Sequence, residues 1–216
     1  MDSSLWKKYG YLILVIYLVL GFFVIPALGI IALVCMVAPV VMAFYSGREW
    51  CGKYCPRGSL WDSVLTKLNS GKEIPAWART KYFRTIMVLL IFTLFGWQMA
   101  FAWPNPAEIG LVFLRIIFIT TLVGMGLAIT YSPRTWCSFC PMGSLAALVS
   151  AGKKPIAIED SCINCGICAR NCPMQLEPYK GQARVFSHVD CLKCDACITA
   201  CPKGALQYIK GATNDV

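Results

Sequence analysis

The chain has 216 residues, of which 57% are hydrophobic and only 14% are charged, and its formal net charge is +9. Because a soluble domain is about 45–50% apolar, this composition excludes an ordinary soluble protein and predicts an α-helical membrane protein. A basic balance is also typical of nucleic-acid binding. Here eight of the twenty Lys and Arg residues lie in one loop between apolar segments, and this distribution favours a membrane-facing loop over nucleic-acid binding.

Three apolar segments predict four transmembrane helices. Residues 9–45 carry no charge. Since one helix needs about 20 residues to cross a bilayer, this segment predicts two short spans with a turn at 26–29, where Pro and Gly occur. Residues 85–103 predict the third span and residues 109–131 the fourth.

The basic residues predict the orientation. The loop 46–84 holds eight Lys and Arg residues against three acidic ones, whereas the loop 104–108 has no Lys or Arg. The positive-inside rule therefore predicts that the N-terminus, the long loop and the C-terminal tail lie in the cytoplasm. The predicted location of this multi-pass protein is the inner membrane of a prokaryote.

One cysteine phrase occurs twice, after the second and after the fourth span. Residues 48–60 read REWCGKYCPRGSL and residues 134–145 read RTWCSFCPMGSL. Two spans separate the copies, so both are predicted on the same face, and the chain reads as two hairpin repeats. An axis along the membrane normal would bring the cysteines of 51–56 and 137–141 towards a common centre: Cys51, Cys55, Cys137 and Cys140.

Three interpretations of these four cysteines remain open. In the first, they bind a third iron–sulfur cluster, which takes four thiolates. In the second, they are two redox-active thiol pairs, whose thiolates Arg48 and Arg134 would stabilise. In the third, they are inert structural cysteines. Cys35, alone in the second span, is predicted to be a small core residue.

The tail contains the sequences CINCGICARNCP and CLKCDACITACP. Each reads Cys-x2-Cys-x2-Cys-x3-Cys-Pro, which is the spacing of two-cluster bacterial ferredoxins, where the fourth cysteine ligates the other cluster. One predicted iron-binding set is Cys162, Cys165, Cys168 and Cys201. The other predicted set is Cys191, Cys194, Cys197 and Cys172.

The local geometry of these motifs also follows from their sequence. The fourth cysteine is expected to start a helix that crosses to the other cluster, and Gly166 is expected to let the backbone approach a sulfide closely. Zinc is the alternative metal for paired Cys-x2-Cys sequences, but it does not require this longer run twice.

The predicted organisation is therefore a transmembrane domain over 1–150 and a cytoplasmic ferredoxin-like α+β domain over 151–216 with two [4Fe-4S] clusters. A domain of this size buries little core. We expect the clusters to supply much of its stability.

With these motifs the chain resembles the NapH and NosR type of membrane-bound ferredoxin-like quinol dehydrogenases, together with CcoG-type relatives. That group joins transmembrane helices, Cys-x3-Cys-Pro phrases and a two-cluster tail, and the resemblance covers nearly the whole chain. It implies quinol oxidation or electron passage at the membrane, with protein redox partners in a respiratory complex. The second phrase departs from the pattern, because it is one residue shorter.

The available chemistry narrows this function. His188 is the only histidine, so a haem held by two helix histidines is excluded. Two placements are open for a quinone. One surrounds Arg115, a charge inside the fourth span, with Trp97, Gln98 and Glu108. The other lies beside the phrases, with Trp50 and Trp136 as its walls.

The predicted function is that of a membrane-anchored iron–sulfur protein that passes electrons between the quinone pool and a respiratory partner, as a quinol dehydrogenase or a quinone-linked oxidoreductase subunit. Two alternatives remain open. One is a non-catalytic wire subunit of a larger membrane complex, and the other is a thiol or metal redox-maturation factor. The sequence identifies no catalytic residue.

Overall fold

The computed structural model describes residues 3–68 and 71–209. Its helices, in chain order, are α1 (Ser3–Phe23), α2 (Ala32–Ser46), α3 (Glu49–Lys53), α4 (Pro56–Ser63), α5 (Lys81–Ala102), α6 (Pro106–Thr130), α7 (Thr135–Phe139), α8 (Pro141–Val149), α9 (Ile167–Arg170) and α10 (Ala196–Thr199). Its strands are β1 (Ile156–Ile158), β2 (Val185–Phe186) and β3 (Leu206–Tyr208).

Four helical segments are long enough and apolar enough to cross a membrane. They are Leu5–Phe23, Pro26–Ser46, Lys81–Ala102 and Pro106–Thr130. Large apolar side chains such as Ile16, Val34 and Leu89 lie exposed on their outer faces. Exposed apolar surface of this extent is what a bilayer covers, so the structure is consistent with a membrane protein and confirms that four such segments exist.

The helix ends follow from local sequence. A 3-10 turn, Pro26–Ile31, joins α1 to α2, as the Pro and Gly residues there predict. Thr80 caps α5 by accepting a hydrogen bond from the Phe83 amide. Asn105 caps α6 in the same way, and Pro106 opens that helix at the position where proline costs nothing.

Helix α6 is the centre of the helical layer, since it packs on α1, on α5 and on the 3-10 turn. Gly29 in the turn and Gly110 in α6 bring two backbones into direct contact. A Cβ atom added at Gly29 would overlap the Gly110 carbonyl, and one added at Gly110 would overlap the Pro26 carbonyl. Only glycine permits this approach.

Each cysteine phrase folds as two short helices joined at Cys-Pro. Cys55 precedes α4 and Cys140 precedes α8, and a proline occupies the first turn of each following helix. Helix α4 packs along the start of α1. Its Trp61 is buried against α6, where a Cβ at Gly124 would meet the indole ring at 2.8 Å.

The tail is built on a small antiparallel sheet with the strand order β2-β1-β3. Ile156 of β1 pairs with Phe186 of β2 and with Tyr208 of β3. The sheet contributes apolar side chains to a core that extends to the cysteine loops, including Ile156, Met174, Leu192 and Leu206.

The glycine contact predicts a difference between two substitutions in the same helix. We expect Gly110→Ala to destabilise the protein by about 1–3 kcal/mol, because backbone must shift to admit the methyl group. Gly126→Ala is the matched control, since a Cβ there would meet no atom within 4 Å. It should be neutral or stabilise by up to about 1 kcal/mol. Thermal unfolding in detergent measures both, and equal midpoints would contradict the packing described.

Candidate functional site

One cavity in the tail collects cysteines from both motifs. Its lining includes Tyr179 and Leu206 and the four cysteines Cys162, Cys165, Cys168 and Cys201. Cys165 is exposed, whereas Cys168 is buried. We call this the distal thiol cavity.

A second cavity collects the other predicted set, and we call it the proximal thiol cavity. Its cysteines are Cys172, Cys191, Cys194 and Cys197. Burial, together with the neighbouring thiols, raises the pKa of Cys197 to about 12. The structure therefore groups the eight tail cysteines in the crossed sets that the spacing predicts.

The two motifs share a backbone geometry that differs from the sequence expectation. A Cβ at Gly166 would meet no protein atom within 4 Å, and the approach of this backbone to a cluster sulfide stays a prediction. The glycine is left-handed, with φ of +72°, and Asp195 takes the same place in the second motif with φ of +65°. The expectation that the fourth cysteine starts a helix is wrong, because α9 ends at Arg170, before Cys172.

The two cysteine phrases meet at a third cavity, the phrase cavity, of about 180 Å³. Its wall includes Cys51, Cys55, Cys137 and Cys140, so the structure brings together the four cysteines that the repeat predicts at a common centre. Cys35 also lines this cavity and is exposed. The prediction of a core position for Cys35 is therefore wrong.

Two equivalent tryptophans face the same site without a partner. Trp50 and Trp136 occupy the same position in the two phrases, and both line the phrase cavity. Within the described residues, the indole Nε1 of each is buried and makes no hydrogen bond. A buried donor without a partner costs about 1–3 kcal/mol. The four thiols of the wall, rather than these donors, fit the cavity for an iron–sulfur cluster.

The phrases are interlocked by two reciprocal arginines. Arg48 of the first phrase donates from Nη2 to the Cys137 carbonyl at 2.8 Å. Arg134 of the second phrase donates from Nη1 to the Cys51 carbonyl at 3.1 Å. Each side chain is 1% exposed. The arginine of each phrase thus hydrogen-bonds the first cysteine of the other phrase.

The same contacts explain the glycine of each phrase. A Cβ at Gly58 would lie 2.9 Å from Arg134, and a Cβ at Gly143 would lie 2.7 Å from Arg48. The charge of Arg134 is balanced by Asp62, to which it donates two hydrogen bonds. The repeated Arg, Cys-Pro and Gly are therefore parts of one interlocking contact.

Arg48 also connects the phrases to the tail through Asp190. Its Nη1 lies 3.2 Å from Asp190, and Arg84 binds the other carboxylate oxygen at 2.7 Å. Asp190 directly precedes Cys191, and its backbone amide donates to Nδ1 of His188 at 3.1 Å. A buried carboxylate between two guanidinium groups therefore sits beside the proximal thiol cavity.

Further contacts seat the second ferredoxin motif on the first phrase. A Cβ at Gly52 would overlap the Leu192 carbonyl. Lys53 forms a 2.7 Å ion pair with Asp195, and Lys7 of α1 donates to the Cys194 carbonyl. The proximal thiol cavity therefore adjoins the phrases, while the exposed Cys165 belongs to the distal cavity.

Burial favours the neutral thiol at both cysteines of the first phrase, although arginines line the phrase cavity. Burial raises the pKa of Cys51, and it raises the pKa of Cys55 to about 12. Arg48 lowers the pKa of Cys51, but burial outweighs it. This opposes the expectation that the arginines stabilise free thiolates. Iron beside the sulfur atoms would reverse the balance, since metal ligation deprotonates cysteine.

The repeated cysteine spacing of the tail favours a cluster over a single ion in the two thiol cavities. In the described parts of the chain, no group of three or more His, Cys, Asp or Glu side chains is arranged to hold one metal ion. Zinc draws four sulfur atoms to about 2.3 Å from one centre, whereas a [4Fe-4S] cluster is bound by four separate cysteine thiolates.

The two quinone placements differ in the structure. Arg115 is exposed on the outer face of α6, and Trp97 is 67% exposed. Trp50 and Trp136, by contrast, line the phrase cavity beside the cysteines.

These cavities and helices define an iron–sulfur protein with helices long enough to span a membrane, and comparison with known families agrees. Residues 161–206 match a family described as a 4Fe-4S dicluster domain. Residues 28–72 and 109–158, which contain the two phrases, match a family described as a 4Fe-4S binding domain. The chain therefore carries 4Fe-4S domains in the tail and around the phrases.

Three similar proteins cover most of this chain. MJ0749 and MJ0750 of Methanocaldococcus jannaschii, both uncharacterized, are 27% and 25% identical over 78% and 80% of the chain, which is 67% and 76% of their own lengths. YccM of Escherichia coli, a candidate electron transport protein, is 26% identical over 82% of the chain. The chain spans 55% of the length of YccM. No solved structure matches it.

The Arg48–Asp190 contact predicts a large effect of one substitution. Arg48→Met should destabilise the iron-loaded protein by about 3–5 kcal/mol, because it leaves a buried carboxylate short of a partner. Lys180→Met is the control, since the Lys180–Glu177 pair is exposed on both sides, and it should leave the midpoint close to that of the wild type. The midpoint of thermal loss of visible absorbance measures both. Similar midpoints would show that Arg48 does not hold the tail.

Proposed function

We propose that this chain crosses the membrane four times and passes electrons between a quinone and a cytoplasmic protein partner. Iron–sulfur electron transfer follows from its 4Fe-4S domains and from its similarity to YccM. When bound, [4Fe-4S] clusters supply one-electron carriers. We propose in addition that the chain is anchored in a membrane, that it reacts with a quinone, and that its tail lies on the cytoplasmic side.

The succession of three thiol cavities carries this proposal. The distal cavity includes an exposed cysteine, which suits contact with a protein partner. The proximal cavity shares one tail with it and rests on the first phrase through Gly52 and Lys53. The phrase cavity comes next, among the long helices. We propose that each cavity binds one cluster through its four cysteines.

The depth of the first phrase supports a site within the membrane. Helix α4 packs on α1, and Arg57 in α4 hydrogen-bonds Thr120 of α6 at 2.9 Å. Thr120 precedes the end of α6 at Thr130 by ten residues, about 15 Å along the helix. Irregular backbone at such a depth is tolerated where it is buried in protein or lines a cavity.

The wall of the phrase cavity supports a lipid-soluble substrate. Apolar side chains of α1, α2 and α6 line the cavity beside the cysteines, which supports an apolar substrate next to this site. A quinol releases two electrons and two protons when it becomes a quinone, and two one-electron carriers accept the electrons. The resemblance to quinol dehydrogenases of the NapH and NosR type favours the same substrate class.

Reduction by a quinol tests this function. We expect a reduced short-chain benzoquinone or naphthoquinone analogue to bleach the visible absorbance of the purified, oxidised protein. Dithionite serves as the positive control for clusters that can be reduced. Bleaching by dithionite with no change under either quinol would remove the quinone from the account. It would favour the wire-subunit alternative.

The iron content tests the third cluster. We expect about twelve irons in the purified wild-type chain, from three cubanes of four irons each. The double variant Cys51→Ser, Cys137→Ser should retain about eight irons and the electron-transfer reactions of the tail. Cys35→Ser is the matched control within the same cavity and should retain the iron content of the wild type. About eight irons in both wild type and double variant would favour the redox-thiol alternative.

A further inference from the structure

A smaller cavity adjoins the phrase cavity and extends between the long helices. It measures about 90 Å³ and is lined by residues of α2, α5 and α6. We call it the side cavity. It shares with the phrase cavity the residues Cys140, Trp136 and Arg57.

Arg57 is the charged residue of the side cavity. Among the described residues, every other side chain in its wall is uncharged, and Phe92, Phe95, Phe113 and Trp136 are aromatic. The guanidinium donates from Nη1 to Thr120 Oγ1 at 2.9 Å. The Thr120 hydroxyl in turn donates to the Ile116 carbonyl at 2.6 Å, so its orientation is set by the helix.

This arrangement leaves Arg57 poorly compensated. A guanidinium has five N–H donors, and Arg57 has no carboxylate partner among the described residues. The ion pairs there are Arg48–Asp190, Lys53–Glu49, Lys53–Asp195, Arg84–Asp190, Arg134–Asp62, Lys154–Glu49, Lys180–Glu177 and Arg184–Asp160. An ionisable side chain at such a depth is costly, and where it faces a cavity it marks a functional site. The free donors of Arg57 therefore call for an acceptor on a bound molecule.

We infer that Arg57 binds a carbonyl oxygen of the quinone, at the junction of the side cavity and the phrase cavity. The inference rests on the proposed function and names its binding residue. The cavity chemistry favours this ligand class, because an apolar wall with four aromatic side chains suits a flat apolar ring, and the N–H groups of Arg57 that do not bind Thr120 suit a neutral carbonyl acceptor. A planar guanidinium also stacks on and hydrogen-bonds flat groups better than an ammonium does.

The helix packing gives such a ligand a route from the lipid. Helix α2 packs on α3, α8 and the 3-10 turn, whereas α5 packs on α6, α7 and α8. The side cavity lies between α2 and α5, and on its two sides Cys35 and Phe92 are exposed. An apolar tail can therefore leave the cavity between these helices while the ring stays against Arg57.

Two variants of Arg57 and one control test the inference. The probe is a decyl-substituted benzoquinone, and its dissociation constant is measured by quenching of tryptophan fluorescence in the iron-loaded protein, since Trp136 lines the side cavity. We expect Arg57→Gln to weaken binding about tenfold or more, which corresponds to the loss of a charge-assisted hydrogen bond. Arg57→Lys should give an intermediate loss. Arg115→Gln, which removes the exposed charge of α6, should bind like wild type.

Iron content and reduction by dithionite separate binding from folding. If Arg57→Gln loses its iron, Thr120→Val replaces it, because that change removes the anchor of the guanidinium while its volume is kept; weaker binding is expected. Unchanged affinity in a variant with intact clusters would overturn the inference. An equal loss of affinity in Arg57→Gln and Arg115→Gln would also overturn the inference.

The quinol reaction keeps this result apart from the proposed function. If a quinol reduces the wild type, and Arg57→Gln has the same rate and affinity, the proposed function stands and the binding role of Arg57 is rejected. Failure of wild type both to bind the probe and to react removes the function and the inference together. Binding that depends on Arg57 without electron transfer supports the site and contradicts the redox function.

Discussion

The architecture depends on the reciprocal contact of two buried arginines. Arg48 and Arg134 each reach from one cysteine phrase into the other, bind the carbonyl of its first cysteine, and lie against its glycine. A single cysteine phrase could not form this centre, because its arginine would have no carbonyl to bind and its two thiols would make half a ligand set. The shared cavity therefore requires both copies of the phrase.

The same arginines determine where the tail sits. Arg48 has a second partner, Asp190, and that residue precedes the first cysteine of the proximal thiol cavity. Arg84, at the start of α5, binds the same carboxylate. Three charges buried together are stabilising only with full mutual pairing, so the docking of the tail has one favourable position. In that position the proximal cavity rests on the first phrase, and the exposed cysteine belongs to the distal cavity.

Much of this could be predicted from sequence, for physical reasons. The apolar segments predict four long helices directly. The cysteine spacing predicts the two crossed sets of tail cysteines, because a short loop limits which thiols can meet. Cys35 was mispredicted as a core residue, since a single position in an apolar helix does not indicate which face it occupies. The roles of Arg48, Asp190 and Arg57 were not predictable, because each partner lies 63 residues or more away along the chain. The glycines of the phrases were the available signal, since a repeated glycine indicates a close neighbour.

The central claim is that the phrase cavity and the proximal thiol cavity hold adjoining carriers. Electron paramagnetic resonance of the fully reduced protein tests this most directly, since neighbouring reduced clusters broaden and split each other's signals. The account predicts interacting signals whose extra splitting disappears in the Cys51→Ser, Cys137→Ser variant, while the coupled pair of the tail remains. Spectra that are identical in wild type and variant would contradict it.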